Sequence, residues 1–199
     1  MKDKIKILFL SNNENANRLY DWLTDECDIR LCREKLDITI VKEYAPDLII
    51  SYNYKYMIRA DVIEYMQGNV INLHISYLPW NRGSNPNFWS FVENTPKGVT
   101  IHLINEKLDE GAILYQKELE FDVTEETFET SYEKLNQEIT ELFIRNWDEI
   151  REKSYVVKKQ SVGGSYHNMQ DFLNITQKCP IDWKENIGVY LERLDRENN

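Results

Sequence analysis

The chain has 199 residues, 42% of them hydrophobic, enough to bury a full core in one domain with a small appendage. Its formal net charge of -10 makes attraction to nucleic acid unfavourable and disfavours a tRNA substrate, because such binding draws on a basic surface. Cys27, Cys32 and Cys179 form no CxxC pair, and no long apolar segment or small-residue cleavage site follows Met1; the expectation is a cytoplasmic chain with reduced thiols, no membrane span and no metal.

In chain order, residues 4 to 10 read as a buried strand, and residues 13 to 26 carry Ala16, Leu19, Tyr20 and Leu23 at helical spacing. A short strand over 28 to 32, a helix over 34 to 44 and the apolar run Leu48-Ile49-Ile50 after Pro46-Asp47 extend a β-α-β-α-β rhythm. That rhythm predicts a mostly parallel sheet covered on both faces. Residues 56 to 67 suit a helix closed by Gly68, and Val70-Ile71-Asn72-Leu73-His74 resumes as a strand. After a loop, Pro86 starts a helix to about Glu93, followed by strands over 98 to 104 and 112 to 116. Residues 124 to 152 form the longest helical stretch, with Phe128, Tyr132, Leu135, Ile139, Leu142, Phe143, Trp147 and Ile150 on one core-facing stripe. From Ser154 the pattern gives way to a polar tail with Gly163-Gly164 and a short helix over 183 to 195, so the chain divides into a catalytic domain over 1 to 153 and an extension over 154 to 199, packed on the core or at a subunit interface.

Chemistry gathers where the strand at 70 to 74 ends, since ligands of open α/β sheets collect outside the carboxyl ends of the strands. Asn72 and His74, two residues apart on a strand, present an amide and an imidazole on the same face. Asp109 follows 35 residues after His74, in a turn made tight by Gly111, and reaches the imidazole if the two strands are neighbours.

The segments Asn72-Leu73-His74-Ile75-Ser76-Tyr77-Leu78-Pro79, Arg82-Gly83, Gly98-Val99-Thr100 and Leu108-Asp109-Glu110-Gly111 together resemble, in order and spacing, the 10-formyltetrahydrofolate-dependent formyltransferases. The resemblance spans residues 46 to 122 and is nearest to the small bacterial sugar N-formyltransferases. It implies a Rossmann-like α/β fold, with an antiparallel hairpin near 98 to 120 and a short C-terminal appendage. It also implies a catalytic triad of Asn72, His74 and Asp109, with the substrate amine attacking a formyl carbon held on the folate. By position it places the pteridine against Lys55, Tyr56, Met57 and Ile58 on one side and Asn105, Leu108 and Asp109 on the other. Asn72 and His74 would stabilise the tetrahedral oxyanion, and His74, or a water held by Asp109, would take the amine proton.

Departures from the family direct the choice of amine. The loop Ser11-Asn12-Asn13-Glu14-Asn15-Ala16 has no glycine to cradle a ribose phosphate, which disfavours glycinamide ribonucleotide. The tail leaves no room for the β-barrel domain of the methionyl-tRNA enzymes, and a formyltetrahydrofolate hydrolase usually has a further N-terminal domain. A catalytically silent folate or sugar-nucleotide binding module predicts a broken triad, whereas all three residues are present. The expected acceptor is therefore a nucleotide-linked amino sugar for surface glycans, with a dTDP-linked 3- or 4-amino dideoxy hexose first. The resemblance assigns it Trp80, Arg82, Asn87 and Trp89, with Tyr166 from the tail motif Gly163-Gly164-Ser165-Tyr166-His167, and it implies a homodimer.

Overall fold

Ile7, Leu8, Phe9 and Leu10 are apolar without alternation because the strand that holds them, β1 (Lys6–Leu10), is covered by helices on both faces. The computed structural model describes residues 4 to 198; the start at Met1, on which the expectation about a leader rests, lies outside them. Around β1 lie β2 (Asp28–Cys32), β3 (Leu48–Tyr52), β4 (Val70–His74), β6 (Lys97–Leu103) and β7 (Ile113–Leu119), in the order β2-β1-β3-β4-β6-β7. The first four strands run parallel, and β6 and β7 close the sheet as an antiparallel hairpin.

Alternate residues of the central strands feed two cores. Ile7, Phe9, Ile50, Ile71 and Leu73 pack under α1 (Asn17–Glu26), α5 (Phe128–Arg145) and α6 (Trp147–Glu152), together with Leu19, Leu135, Ile139, Phe143 and Trp147. Leu8, Leu10, Ile49 and Val70 pack on the other face against Val41 of α2 (Ile38–Tyr44) and Val62 of α3 (Ala60–Tyr65). Each large apolar side chain fully buried in this way contributes about 1.5–3 kcal/mol. A third, aromatic core joins Phe88, Trp89 and Phe91 of α4 (Pro86–Val92) to Phe128 and to the tail, through Phe172 of α7 (Met169–Thr176) and Ile187, Tyr190 and Leu194 of α8 (Ile187–Asn198). Two short strands, β5 (Arg82–Gly83) and β8 (Tyr166–His167), pair parallel and tie the tail to the loop after β4.

Several elements are shorter than their sequence patterns. The helix expected from residue 34 begins at Ile38, because the Asp37 carboxylate accepts from the Thr39 and Ile40 N–H groups and so caps it there. Residues 56 to 59 precede α3 rather than belong to it. The long stripe over 124 to 152 is two helices, broken at Asn146, whose φ of -105° leaves the helical path. None of the described helices is long and apolar enough to cross a membrane.

Candidate active site

β4 delivers Asn72 and His74 to the carboxyl end of the parallel sheet, and its antiparallel partner β6 brings His102 level with Asn72. Asp109, in the turn between β6 and β7, curls back over both at a φ of 53°, in the left-handed region that a short polar side chain tolerates better than a branched one. Its Oδ1 lies 3.3 Å from Asn72 Nδ2 and 3.5 Å from His102 Nε2, and its Oδ2 lies 3.8 Å from His74 Nε2. The Gly83 N–H donates to Oδ2 at 3.0 Å. Asn72, His74 and Asp109 are thus brought together, His74 and Asp109 each about 8% exposed.

The hydrogen bonds fix several orientations. His102 Nδ1 sits 2.8 Å from the Leu103 carbonyl, which can only accept, so Nδ1 carries a hydrogen. Its Nε2 stands 3.3 Å from Asn72 Nδ2 and 3.5 Å from Asp109 Oδ1, the carboxylate oxygen to which the Asn72 amide donates at 3.3 Å. His74 Nε2 faces the Asn81 carbonyl at 3.3 Å, and donates to it. Burial pushes the His74 imidazole below its ordinary value of 6.5, outweighing the opposing pull of Asp109. Burial alone would raise the Asp109 carboxyl, but His74, His102 and the Gly83 N–H hold it well below the usual carboxylate range. A neutral imidazole beside an ionised carboxylate is a poised acid–base pair.

A cavity of about 590 Å³ opens onto this cluster. Lys55, Tyr56, Met57 and Ile58 wall one side and Asn105, Leu108 and Asp109 the other, so every residue expected at the pteridine lines it. A second cavity, about 380 Å³, shares Ile75, Asn85, Pro86 and Tyr132 with the first and continues along Phe88, Phe128, Glu129 and Trp183. Among the described residues no group of three or more His, Cys, Asp and Glu side chains could hold a metal ion.

The residues expected to hold the acceptor are placed differently. Trp80, Arg82, Trp89 and Tyr166 line neither cavity. Trp89 faces inward from α4 into the aromatic core and stacks on His167, centroids 3.8 Å apart. Arg82 is paired with Glu110 at 2.9 Å, so its charge is already matched. Asn87 borders the second cavity, but its amide donates to the Phe128 carbonyl and the Ser131 hydroxyl, and its oxygen accepts from Ser131. Trp80 is half-buried in a turn closed by its N–H on the Tyr77 carbonyl, and Tyr166 points outward from β8, 52% exposed. Sequence reasoning missed His102, Gly83, Trp183 and the tail residue Gln160, whose Nε2 donates to the Asp109 and Gly111 carbonyls at 2.7 and 2.8 Å. For His102 a signal was present: it lies two residues after Thr100 on the strand that pairs with β4.

Comparison with known proteins agrees with this geometry. Residues 27–146 match the family model described as formyl transferase. The chain is 30% identical over 158 residues to the dTDP-4-amino-4,6-dideoxyglucose formyltransferase of Mycobacterium tuberculosis, covering 78% of this chain and 64% of that protein, and thus less than two thirds of this relative's length. It is 34% identical over 144 residues to a methionyl-tRNA formyltransferase of Thermodesulfovibrio yellowstonii, covering 69% of this chain and 46% of the other. The crystal structure of the formyltransferase PseJ from Anoxybacillus kamchatkensis, in complex with UDP-4,6-dideoxy-4-formamido-L-AltNAc and tetrahydrofolate, superposes with a TM-score of 0.85 at 40% identity, over 94% of this chain and 97% of that one.

Proposed function

This chain belongs to the formyl transferase family, and from that premise we propose that it transfers a formyl group from 10-formyltetrahydrofolate to the 4-amine of a 4,6-dideoxy hexose carried on a pyrimidine nucleoside diphosphate. The observation that carries this reading is the convergence of Asn72, His74 and Asp109 at the cavity bordered by residues 55 to 58 and 107 to 109. The 4-position is common to the amino sugar in the mycobacterial relative's name and the formamido sugar in the Anoxybacillus complex. The sequence placed dTDP first as carrier, and the Anoxybacillus protein sets UDP beside it. Neither carrier calls for a basic surface, which suits a chain of net charge -10.

The proposed folate side of the crevice is lined by Tyr56, Met57, Ile58 and Leu108, a lining suited to a flat pteridine. That leaves the second cavity, contiguous through Ile75, Asn85, Pro86 and Tyr132, for the acceptor. As the amine adds to the formyl carbon, negative charge grows on the formyl oxygen. The Asn72 amide has one hydrogen engaged by Asp109 and can offer the other to that oxygen. Neutral His74 accepts the amine proton, and the imidazolium so formed lies within 3.8 Å of Asp109, which stays ionised. Collapse of the intermediate breaks the bond from the formyl carbon to the folate nitrogen, which takes the proton from the His74 imidazolium, and tetrahydrofolate and the formamido sugar are released.

The same reading places the enzyme in the cytoplasm, in keeping with its three free, buried cysteines, and assigns it a homodimer built on the tail, where Val156, Val157 and Val162 are exposed. The test is direct. Pyrimidine-nucleotide 4-amino-4,6-dideoxy hexoses, mixed with protein and 10-formyltetrahydrofolate, should yield formamido products by mass spectrometry, and glycinamide ribonucleotide should not. Absence of product from every such sugar would sink the acceptor assignment.

A further inference from the structure

The residues that touch the reacting atoms do not hold themselves in place. The Asn81 carbonyl that receives His74 Nε2 and the Gly83 N–H that binds Asp109 belong to one loop after β4, and that loop is gripped from the tail. The Ser165 hydroxyl accepts from the Asn81 N–H at 2.9 Å and donates to Asn81 Oδ1 at 3.1 Å. The Arg82 N–H donates to the Ser165 carbonyl at 3.0 Å, the Ser84 N–H to the His167 carbonyl at 2.8 Å, and the Ser165 N–H to the Pro79 carbonyl at 3.3 Å. Approach is so close that a Cβ on Gly164 would land on the Pro79 carbonyl oxygen and one on Gly83 on the His167 carbonyl oxygen; both glycines have positive φ, 87° and 89°. A few residues earlier the tail takes hold of the opposite wall, where Gln160 bridges the Asp109 and Gly111 carbonyls.

The geometry points to residues 160 to 167 as a positioning strap that spans both walls of the active centre and sets the separation of His74 from Asp109, an inference that rests on the formyl-transfer reading. Ser165 and Gln160 are its positioning residues, acting through Asn81 and through the main chain of Asp109. Asn81 shows how little slack the loop has. It is fully buried at a φ of 55°, and its amide donates to Thr95 Oγ1 at 2.8 Å while its oxygen meets Ser165. Without the Ser165 hydroxyl, the Asn81 N–H and Oδ1 both lose a partner inside the protein, and the loop shifts to find others. The carbonyl under His74 shifts with it. None of residues 160 to 167 lines either cavity, so the strap acts on geometry and not by touching substrate.

The experiment compares Ser165→Ala, Gly164→Ala and Ser165→Thr with the unaltered chain. Misplacing a catalytic group by a fraction of an ångström lowers kcat steeply, so Ser165→Ala should lose about tenfold or more in kcat, with both KM values within about twofold and the melting temperature lowered by roughly 2–10 °C, still one folded transition. Gly164→Ala should lose more, and Ser165→Thr, which keeps the hydroxyl, should recover most of the rate. By NMR, the His74 titration should move to lower pH in Ser165→Ala, because its contact with the Asn81 carbonyl, which favours the protonated ring, is loosened. Unchanged kcat and titration in Ser165→Ala would overturn the strap. So would a rise in acceptor KM with kcat kept, which would make the tail a substrate contact. If Gly164→Ala does not fold, Ser165→Ala carries the test alone. If the parent chain formylates no amino sugar, the functional reading fails, and the His74 titration still decides the strap.

Discussion

Asp109 is the residue on which the site's electrostatics turn, since Asn72, His74, His102 and the Gly83 N–H all converge on its two oxygens. Asp109→Asn keeps the size and removes the charge, leaving the imidazolium formed during transfer without its counterion. We expect kcat to fall by about 10²–10⁴-fold, the range for a disabled acid–base group, with the protein still folded by circular dichroism. The same pair sets the pH dependence. His74 must be neutral to take a proton, and burial holds it below 6.5, so the acid limb of the kcat profile should lie below that value. The fold disfavours the charged ring, so the stability this provides is complete above pH 6.5 and is lost as pH falls through the lower folded-state pKa. An acid limb above 6.5 would remove His74 as the base. Trp183 offers a separate test: it is 45% exposed, lines the second cavity and stacks on Phe172. Stacking of a base on an aromatic ring contributes about 1–3 kcal/mol. Trp183→Ala should therefore raise the acceptor KM roughly tenfold while leaving the folate KM alone, and equal effects on both would remove Trp183 from the acceptor site.

At the scale of elements, the tail shares a core with the Rossmann-like part rather than hanging from it. Phe172 of α7 meets Phe88 of α4 edge-on at 5.0 Å, and Phe88 in turn packs on Phe128 of α5. Phe172→Ala should therefore cost about 3–5 kcal/mol, which for a chain of this size lowers the melting temperature by roughly 6–20 °C in one transition. A main transition left unmoved, with a small early one, would show that the tail melts independently. Much of this architecture was legible in the sequence. The apolar runs of β1 and β3 and the shared face of Asn72 and His74 follow from periodicity that needs only a local window, whereas Asp109 joined them through the resemblance to the formyltransferases. The strap and α7 were not legible, for a physical reason. β5 and β8 are two residues each, too short for any period, and they are fixed by bonds across more than 80 residues of sequence. The signal for α7 was present as the reciprocal cap of Asn168 and Asp171 ahead of Phe172, but the surrounding polar residues hid it. The partners of Trp89 and Arg82 were not legible either, because only three dimensions bring His167 and Glu110 to them.

For the whole molecule, the open question is which carrier a strongly acidic protein accepts. At a net charge of -10, attraction to the diphosphate cannot come from the overall field, so recognition falls to short-range contacts in the cavities. Those contacts discriminate by base size and edge. On the proposed reading the second cavity, about 380 Å³ and walled by Phe88, Phe128 and Trp183, takes the sugar as well as part of the nucleotide, which favours a single-ring base over a purine. A ligand that binds only the folded chain stabilises it by about 2.7 kcal/mol at a hundred times its dissociation constant, a rise of roughly 5–11 °C in melting temperature. UDP and dTDP should each give such a rise, and GDP, at the same concentration, little. The shifts should persist in 0.5 M salt if short-range contacts carry the binding. Equal stabilisation by GDP, or shifts that vanish with salt, would mean that these cavities do not read the base and that the acceptor's carrier is chosen elsewhere on the surface.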